Sequence, residues 1–165
     1  MGELTYNQTL SCAMEWAKAG RIEEWVHLYL PVDGRNQPMA DGLRLAPRIF
    51  RGPVPFPLSD LTRICGPEED MKWRVHPVRF EEHVASLVRE IEKGADLPPL
   101  IVQCTPAGLE LNDGNHRLEA FRRLGIEEYP VIFWATAGEE EFFPAVLDNP
   151  DAPCYNNTEN RTGKD

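Results

Sequence analysis

The chain has 165 residues, and its 27 acidic against 17 basic side chains give a formal net charge of -10 and a pI near 4.9. That length allows one domain with a real hydrophobic core and excludes two large ones. The acidic balance speaks against a surface built to neutralise a nucleic-acid backbone, so tight DNA binding is not expected. Cys12, Cys65, Cys104 and Cys154 lack any Cys-x-x-Cys pairing. No zinc site, other metal centre or disulfide framework is therefore expected, and the thiols read as those of a reduced, cytoplasmic protein. Neither a basic-then-apolar leader nor a membrane-length apolar run is present in the sequence, so no membrane association is expected.

From Thr9 to Leu30 the apolar residues Ala13, Trp16, Ala17, Ile22, Trp25, Val26, Leu28 and Tyr29 recur at helical spacing around Gly20. The pattern predicts a helical hairpin or kinked helix, read as an appendage or a protein-partner surface. Residues 32–57 interleave Arg35, Arg44, Arg48 and Arg51 with six prolines and read as irregular connecting chain, its arginines solvated. Phe56, Leu58 and Leu61 suggest a short strand entering the main domain, followed by the acidic loop Glu68-Glu69-Asp70. Val84, Leu87, Val88 and Ile91 then mark one face of a helix over residues 81–93, which Gly94 closes. Its other face presents Glu82, His83, Ser86, Arg89, Glu90 and Lys93.

Past Pro98-Pro99, the run Leu100-Ile101-Val102 predicts a buried strand, and Pro106-Ala-Gly108 turns the chain into a second strand around Leu109 to Leu111. Asn112-Asp113-Gly114-Asn115-His116-Arg117 follows, opening a helix that Gly125 ends, and Val131 to Trp134 form another strand. A short helix is expected over Glu139 to Phe143. The order helix, strand, strand, helix, strand gives a small α/β or α+β domain, a mixed sheet with flanking helices. Three regions are expected: 1–53 as hairpin and connector, 54–147 as the domain, and 148–165 as a flexible tail.

The chemistry concentrates at the glycine turn. His116 and Arg117 fall in the first helical turn, where the macrodipole favours acids rather than cations. An anion should offset them. Free backbone N–H groups at a helix start, a close approach allowed by Gly114 and the fork of Arg117 all suit a phosphate. On this reading Arg117 works against the dipole, so its removal without ligand should be neutral or slightly stabilising. Asp113-Gly114 as a plain hairpin turn is the alternative, which the helical spacing after it fits less well.

Taken together, Leu97-Pro-Pro-Leu-Ile-Val102, Asp113-Gly-Asn-His-Arg117, Gly125-Ile and Tyr129-Pro-Val131 resemble the ParB/sulfiredoxin superfamily over about residues 54 to 135. The resemblance implies a turn at a helix start that holds nucleotide phosphates, with Asp113, Gly114, Asn115, His116 and Arg117 as binding residues and ATP or CTP, with or without magnesium, as ligand. The helix around His83 to Ile91 is similar to the sulfiredoxin helix whose Lys, Ser and Thr touch ATP. Ser86 keeps its type, whereas His83 stands at the Lys position and Glu90 at the Thr position. Asn115 occupies the place of the catalytic cysteine, and an amide cannot act as that nucleophile. Sulfinic-acid reduction is therefore not expected, and Asn115 reads as a turn or cap residue or as a neutral donor beside the phosphate.

The resemblance leaves two functions open. One is a nucleotide- or phosphate-binding module, in its enzymatic form a kinase-like phosphotransferase acting on a small hydroxyl compound, in which Glu82 orients the attacking hydroxyl. A helix N-terminal acid complementing the dipole is the plainer reading of Glu82. The other is a ParB-like regulatory or partition protein that binds a protein partner or DNA, with the N-terminal hairpin as its contact surface. The sequence carries no helix-turn-helix pattern after the motif, which weakens a DNA-clamp role.

Overall fold

The computed structural model describes residues 3–148, and the expected flexible tail lies almost wholly outside them. Among the described residues the fold is α+β, with a mixed four-stranded sheet, a small two-stranded sheet and five α-helices. Three helices come first: α1 (Leu10–Lys18), α2 (Ile22–Tyr29) and α3 (Gln37–Leu43). The Thr9 hydroxyl caps α1 by accepting from the Cys12 amide at 3.1 Å, and Glu23 and Glu24 in the first turn of α2 complement its dipole. The hairpin expected over residues 9–30 is thus present.

The segment 32–57 is more regular than its composition suggests. Asn36 caps α3, accepting from the Met39 amide with Pro38 in the first turn. Residues Arg48–Pro57 form β1, an edge strand of the sheet. An edge is where a proline-rich strand is tolerated, because one side of the strand needs no ladder donors. A register shift between Arg51 and Val54 absorbs Gly52, whose φ of +101° only glycine adopts readily. The expected domain boundary at residue 54 falls inside this strand.

The remaining elements are β2 (Cys65–Gly66), β3 (Trp73–Arg74), α4 (Pro77–Glu92), β4 (Leu100–Thr105), β5 (Gly108–Asp113), α5 (Asn115–Arg123) and β6 (Glu128–Thr136). Helix α4 starts four residues before the acids that seemed to open it: His76 caps it through Nδ1, which accepts from the Val78 amide, and Pro77 takes the first position. A short 3-10 turn at Glu140–Phe142 stands where a helix over 139–143 is expected.

The strand order is β1-β6-β4-β5, with β4 parallel to β6 and the other pairs antiparallel. Alternation along β4 and β6 sends Ile101, Ile132 and Trp134 to one face, where they pack with Phe50, Trp16, Trp25 and Tyr29. Leu100, Val102, Val131 and Phe133 go to the other face and pack with Leu118 and Phe121 of α5. Both faces are covered, which is why these two strands read as unbroken apolar runs. Helix α4 packs on α5 through Phe80, Val84, Leu87 and Ala120.

The N-terminal helices therefore build one wall of the core and are not an appendage. Trp16 and Trp25 are buried, so the aromatic stripe expected as a partner surface is inside the protein. At about 25 cal/mol per Å² of apolar surface, each such side chain contributes of the order of 2–3 kcal/mol by its burial.

Candidate functional site

Strand β5 leads straight into the motif. Gly114, with φ +105°, turns the chain from strand to helix, and a Cβ there would collide with Leu100 Cδ2. Glycine is required twice over, for conformation and for space. Among the described residues no side chain or carbonyl accepts from the backbone N–H groups of Asn115, His116 and Arg117, and no side chain caps α5. A helix start with free amides is thus present.

Arg117 does not offer its fork to solvent. Its Nη1 donates to the Tyr29 hydroxyl at 3.2 Å, and its Nη2 donates to the Pro99 carbonyl at 2.9 Å and to Asp113 Oδ2 at 3.3 Å. The Tyr29 hydroxyl in turn donates to Asp113 Oδ2 at 3.0 Å. The Arg117 and Asp113 side chains are only 11% and 10% exposed. The anion that the sequence demanded opposite Arg117 is the protein's own Asp113. Burial raises the Tyr29 pKa, with Asp113 adding to the rise and Arg117 opposing it. For Arg117, burial acts downward, and Tyr29 and Asp113 outweigh it, so the guanidinium stays charged.

Asn115 is also committed internally. Its Oδ1 accepts from the amides of Ile64 and Cys65 at 2.7 and 3.2 Å, and its Nδ2 donates to the Leu111 carbonyl at 3.3 Å. The side chain clamps the segment before β2 onto the motif and does not cap α5, whose N-cap is Gly114. That clamp brings Cys65, a half-buried residue 50 positions away in sequence, to the motif through its backbone amide. Burial pushes the Cys65 thiol up, with Arg63 opposing, the wrong direction for a thiolate nucleophile. Cys104, the nearest thiol in sequence, is buried and pushed up to about 12.

His116 is the motif residue that meets α4. Its ring stacks on His83 with centroids 4.2 Å apart and lies 5.0 Å from Phe80. The Arg63 guanidinium sits 4.9 Å over the Phe80 ring and pairs with Glu68 and Glu119. His116 is pushed down to about 4 by burial first, then by His83, Arg117 and Arg63. His83 is also lowered, by burial and then by Arg117 and Arg35, against Glu90. Both rings are neutral at neutral pH.

Arg35 carries no sequence signal that separates it from the other arginines of its segment. Arg48 bonds Thr136 and the carbonyls of Gly42 and Leu43, and Arg51 lies over Phe143. Arg35, between α2 and α3, is exposed, has φ +50° and has no ion-pair partner among the described residues. Its charge reaches His83. A non-glycine residue in the left-handed region costs of the order of 1 kcal/mol.

Ser86 lies one turn beyond His83 on α4 and is half-buried. Glu82 is exposed, on the side of α4 opposite the packed Phe80, Val84 and Leu87. The fold does not bring it together with His116 and Arg117, whereas Glu90 shares the His83 side. Three surface clefts lie elsewhere, including one between Pro57–Ser59 and Gly125–Glu128. Among the described residues no three His, Cys, Asp or Glu side chains converge as metal ligands, and no helix is long and apolar enough to cross a membrane. No family model, curated protein or solved structure matches the chain.

Proposed function

We propose that this chain is a nucleotide- or phosphate-binding domain of the ParB/sulfiredoxin kind, taking a phosphate group at the start of α5. The observation that carries this reading is the set of free amides of Asn115, His116 and Arg117, flanked by the His83–His116 stack and with the unpaired Arg35 in electrostatic reach of His83. Free amides at a helix start bind tetrahedral anions. Arg117 acts from beneath, as a buried positive charge held by Asp113 and Tyr29.

ATP or CTP supplies such a phosphate, and magnesium would arrive with it, held by phosphate oxygens and water rather than by a protein cage. A phosphotransferase needs in addition a carboxylate beside the bound phosphate. Glu82 points away, so the reading supported here is binding.

The second reading, a ParB-like regulatory protein that meets a protein partner or DNA, draws support from the link between Tyr29 of the hairpin and Asp113–Arg117 of the motif. Through it, occupancy of the site acts on the N-terminal helices.

A thermal-shift panel with ATP, ADP, CTP, GTP and pyrophosphate, each with and without magnesium, tests the binding reading. A ligand at 100 times its Kd stabilises the folded state by about 2.7 kcal/mol. Arg35→Ser and His83→Ala should weaken the response. No shift with any phosphate compound overturns the proposal.

A further inference from the structure

We propose that the stacked His83–His116 pair couples anion binding at this site to proton uptake, one proton entering the pair as a dianionic phosphate group arrives and leaving with it. This inference rests on the phosphate reading above.

The geometry is that of two imidazoles in face contact, from two different helices. Their centroids are 4.2 Å apart with 28° between the planes, and Phe80 lies against His116 at 5.0 Å. The charges that face them come from every element packed nearby. Arg117 is on α5, Arg63 precedes β2, Arg35 lies between α2 and α3, and Glu90 on α4 is the acid that acts on His83. Of the three arginines, Arg117 is offset by Asp113 and Arg63 by Glu68 and Glu119, which leaves Arg35 as uncompensated charge. Without an anion, a proton on either ring would meet this positive surround and the other ring, so the pair stays neutral.

A dianion on the α5 amides inverts that balance. An opposite charge within about 4–6 Å raises an imidazole pKa by about 1–3 units, enough to bring one ring of the pair into the range where it is protonated in weakly acidic solution. The gained charge then strengthens the hold on the anion. By linkage, the proton number taken up equals the slope of affinity against pH.

Sulfate is the probe, because it is a tetrahedral dianion that does not itself titrate in this range. Calorimetry at several pH values, each in two buffers of different ionisation heat, reads affinity and proton uptake together. The expected result is sulfate affinity that rises several-fold from about pH 8 to pH 6, with net proton uptake near pH 6. The double variant His83→Phe/His116→Phe keeps aromatic rings in the stack and should bind sulfate more weakly than the parent at pH 6, with no uptake and a flat pH profile. If circular dichroism shows that this variant does not fold, His83→Gln/His116→Gln makes the same measurement. Sulfate bound by the parent protein without uptake, or uptake that persists in the folded variant, overturns proton coupling and leaves the phosphate site standing. No sulfate binding at any pH overturns the site itself.

Discussion

The Arg117 guanidinium and the Tyr29 hydroxyl, 88 residues apart in sequence, meet at 3.2 Å over the carboxylate of Asp113. One buried triad thus ties the N-terminal hairpin, the end of β5 and the first turn of α5. Breaking a buried pair by removing one partner costs about 3–5 kcal/mol, because the other charge is left uncompensated. Arg117→Met is expected to destabilise the protein by about that much in urea unfolding, and Tyr29→Phe by about 1 kcal/mol. The double variant Asp113→Asn/Arg117→Met should be less destabilised than the sum of the two single variants. A stable Arg117→Met protein would show that the triad contributes little. This reverses the expectation that Arg117 merely opposes the helix dipole.

Gly114→Ala is expected to lower stability by about 1–3 kcal/mol, since alanine at φ +105° is strained. The new Cβ also collides with Leu100, a core residue that cannot move aside freely. The melting temperature measures this. An unchanged melting temperature would mean that the turn relaxes at no cost.

Acid titration should find His116. Its pKa in the folded protein is about 4 against an ordinary 6.5, so between these values the unfolded chain binds a proton that the folded chain refuses. The stability this ring contributes is therefore complete above pH 6.5 and is lost as pH falls toward 4. Discounted for the ring's partial exposure, the loss is about 1–2 kcal/mol. Unfolding free energies of the parent and of His116→Phe across this window check it, and the variant's curve should lack this component.

Asn115→Ala should free the segment before β2. The Ile64 and Cys65 amides lose their shared acceptor, at a cost of about 1–3 kcal/mol, and should exchange with deuterium faster than in the parent. The parent should show no ATP-dependent reduction of a sulfinylated peroxiredoxin, because Asn115 cannot act as the nucleophile and Cys65, whose amide bonds Asn115, is pushed toward its protonated form. Turnover above background would refute this.

Much of the α5 end of the fold was legible because it is written in local patterns. Gly114 and Gly125 bracket α5, and the apolar runs of β4 and β6 announce strands buried on both faces. What lay hidden depended on distant chain. No local pattern shows that Tyr29 supplies a partner for Arg117, that Cys65 is carried to Asn115, or that the charge of Arg35 reaches His83. Of β1 only the end near Phe56 was expected as strand, and Leu58–Asp60 beyond it is a 3-10 turn; three prolines forbid a central strand but not an edge, and edge position is a property of the whole sheet. Glu82 could be placed only once Phe80, Val84 and Leu87 fixed which side of α4 packs: it lies on the opposite, exposed side and outside the first turn of the helix.

The sheet's closing pair has a consequence for how the chain is made. Among the described residues β1 finds its only strand partner in β6, and Arg48 reaches Thr136 across 88 residues. At roughly 5–20 residues per second, synthesis leaves β1 unpaired for about 4–18 seconds. Throughout that interval Trp16, Trp25 and Phe50, later buried against Ile132 and Trp134, have no finished surface to cover them. Non-local pairing of this kind slows folding. Emergence of β6 is thus the event that lets these side chains be buried and β1 be paired.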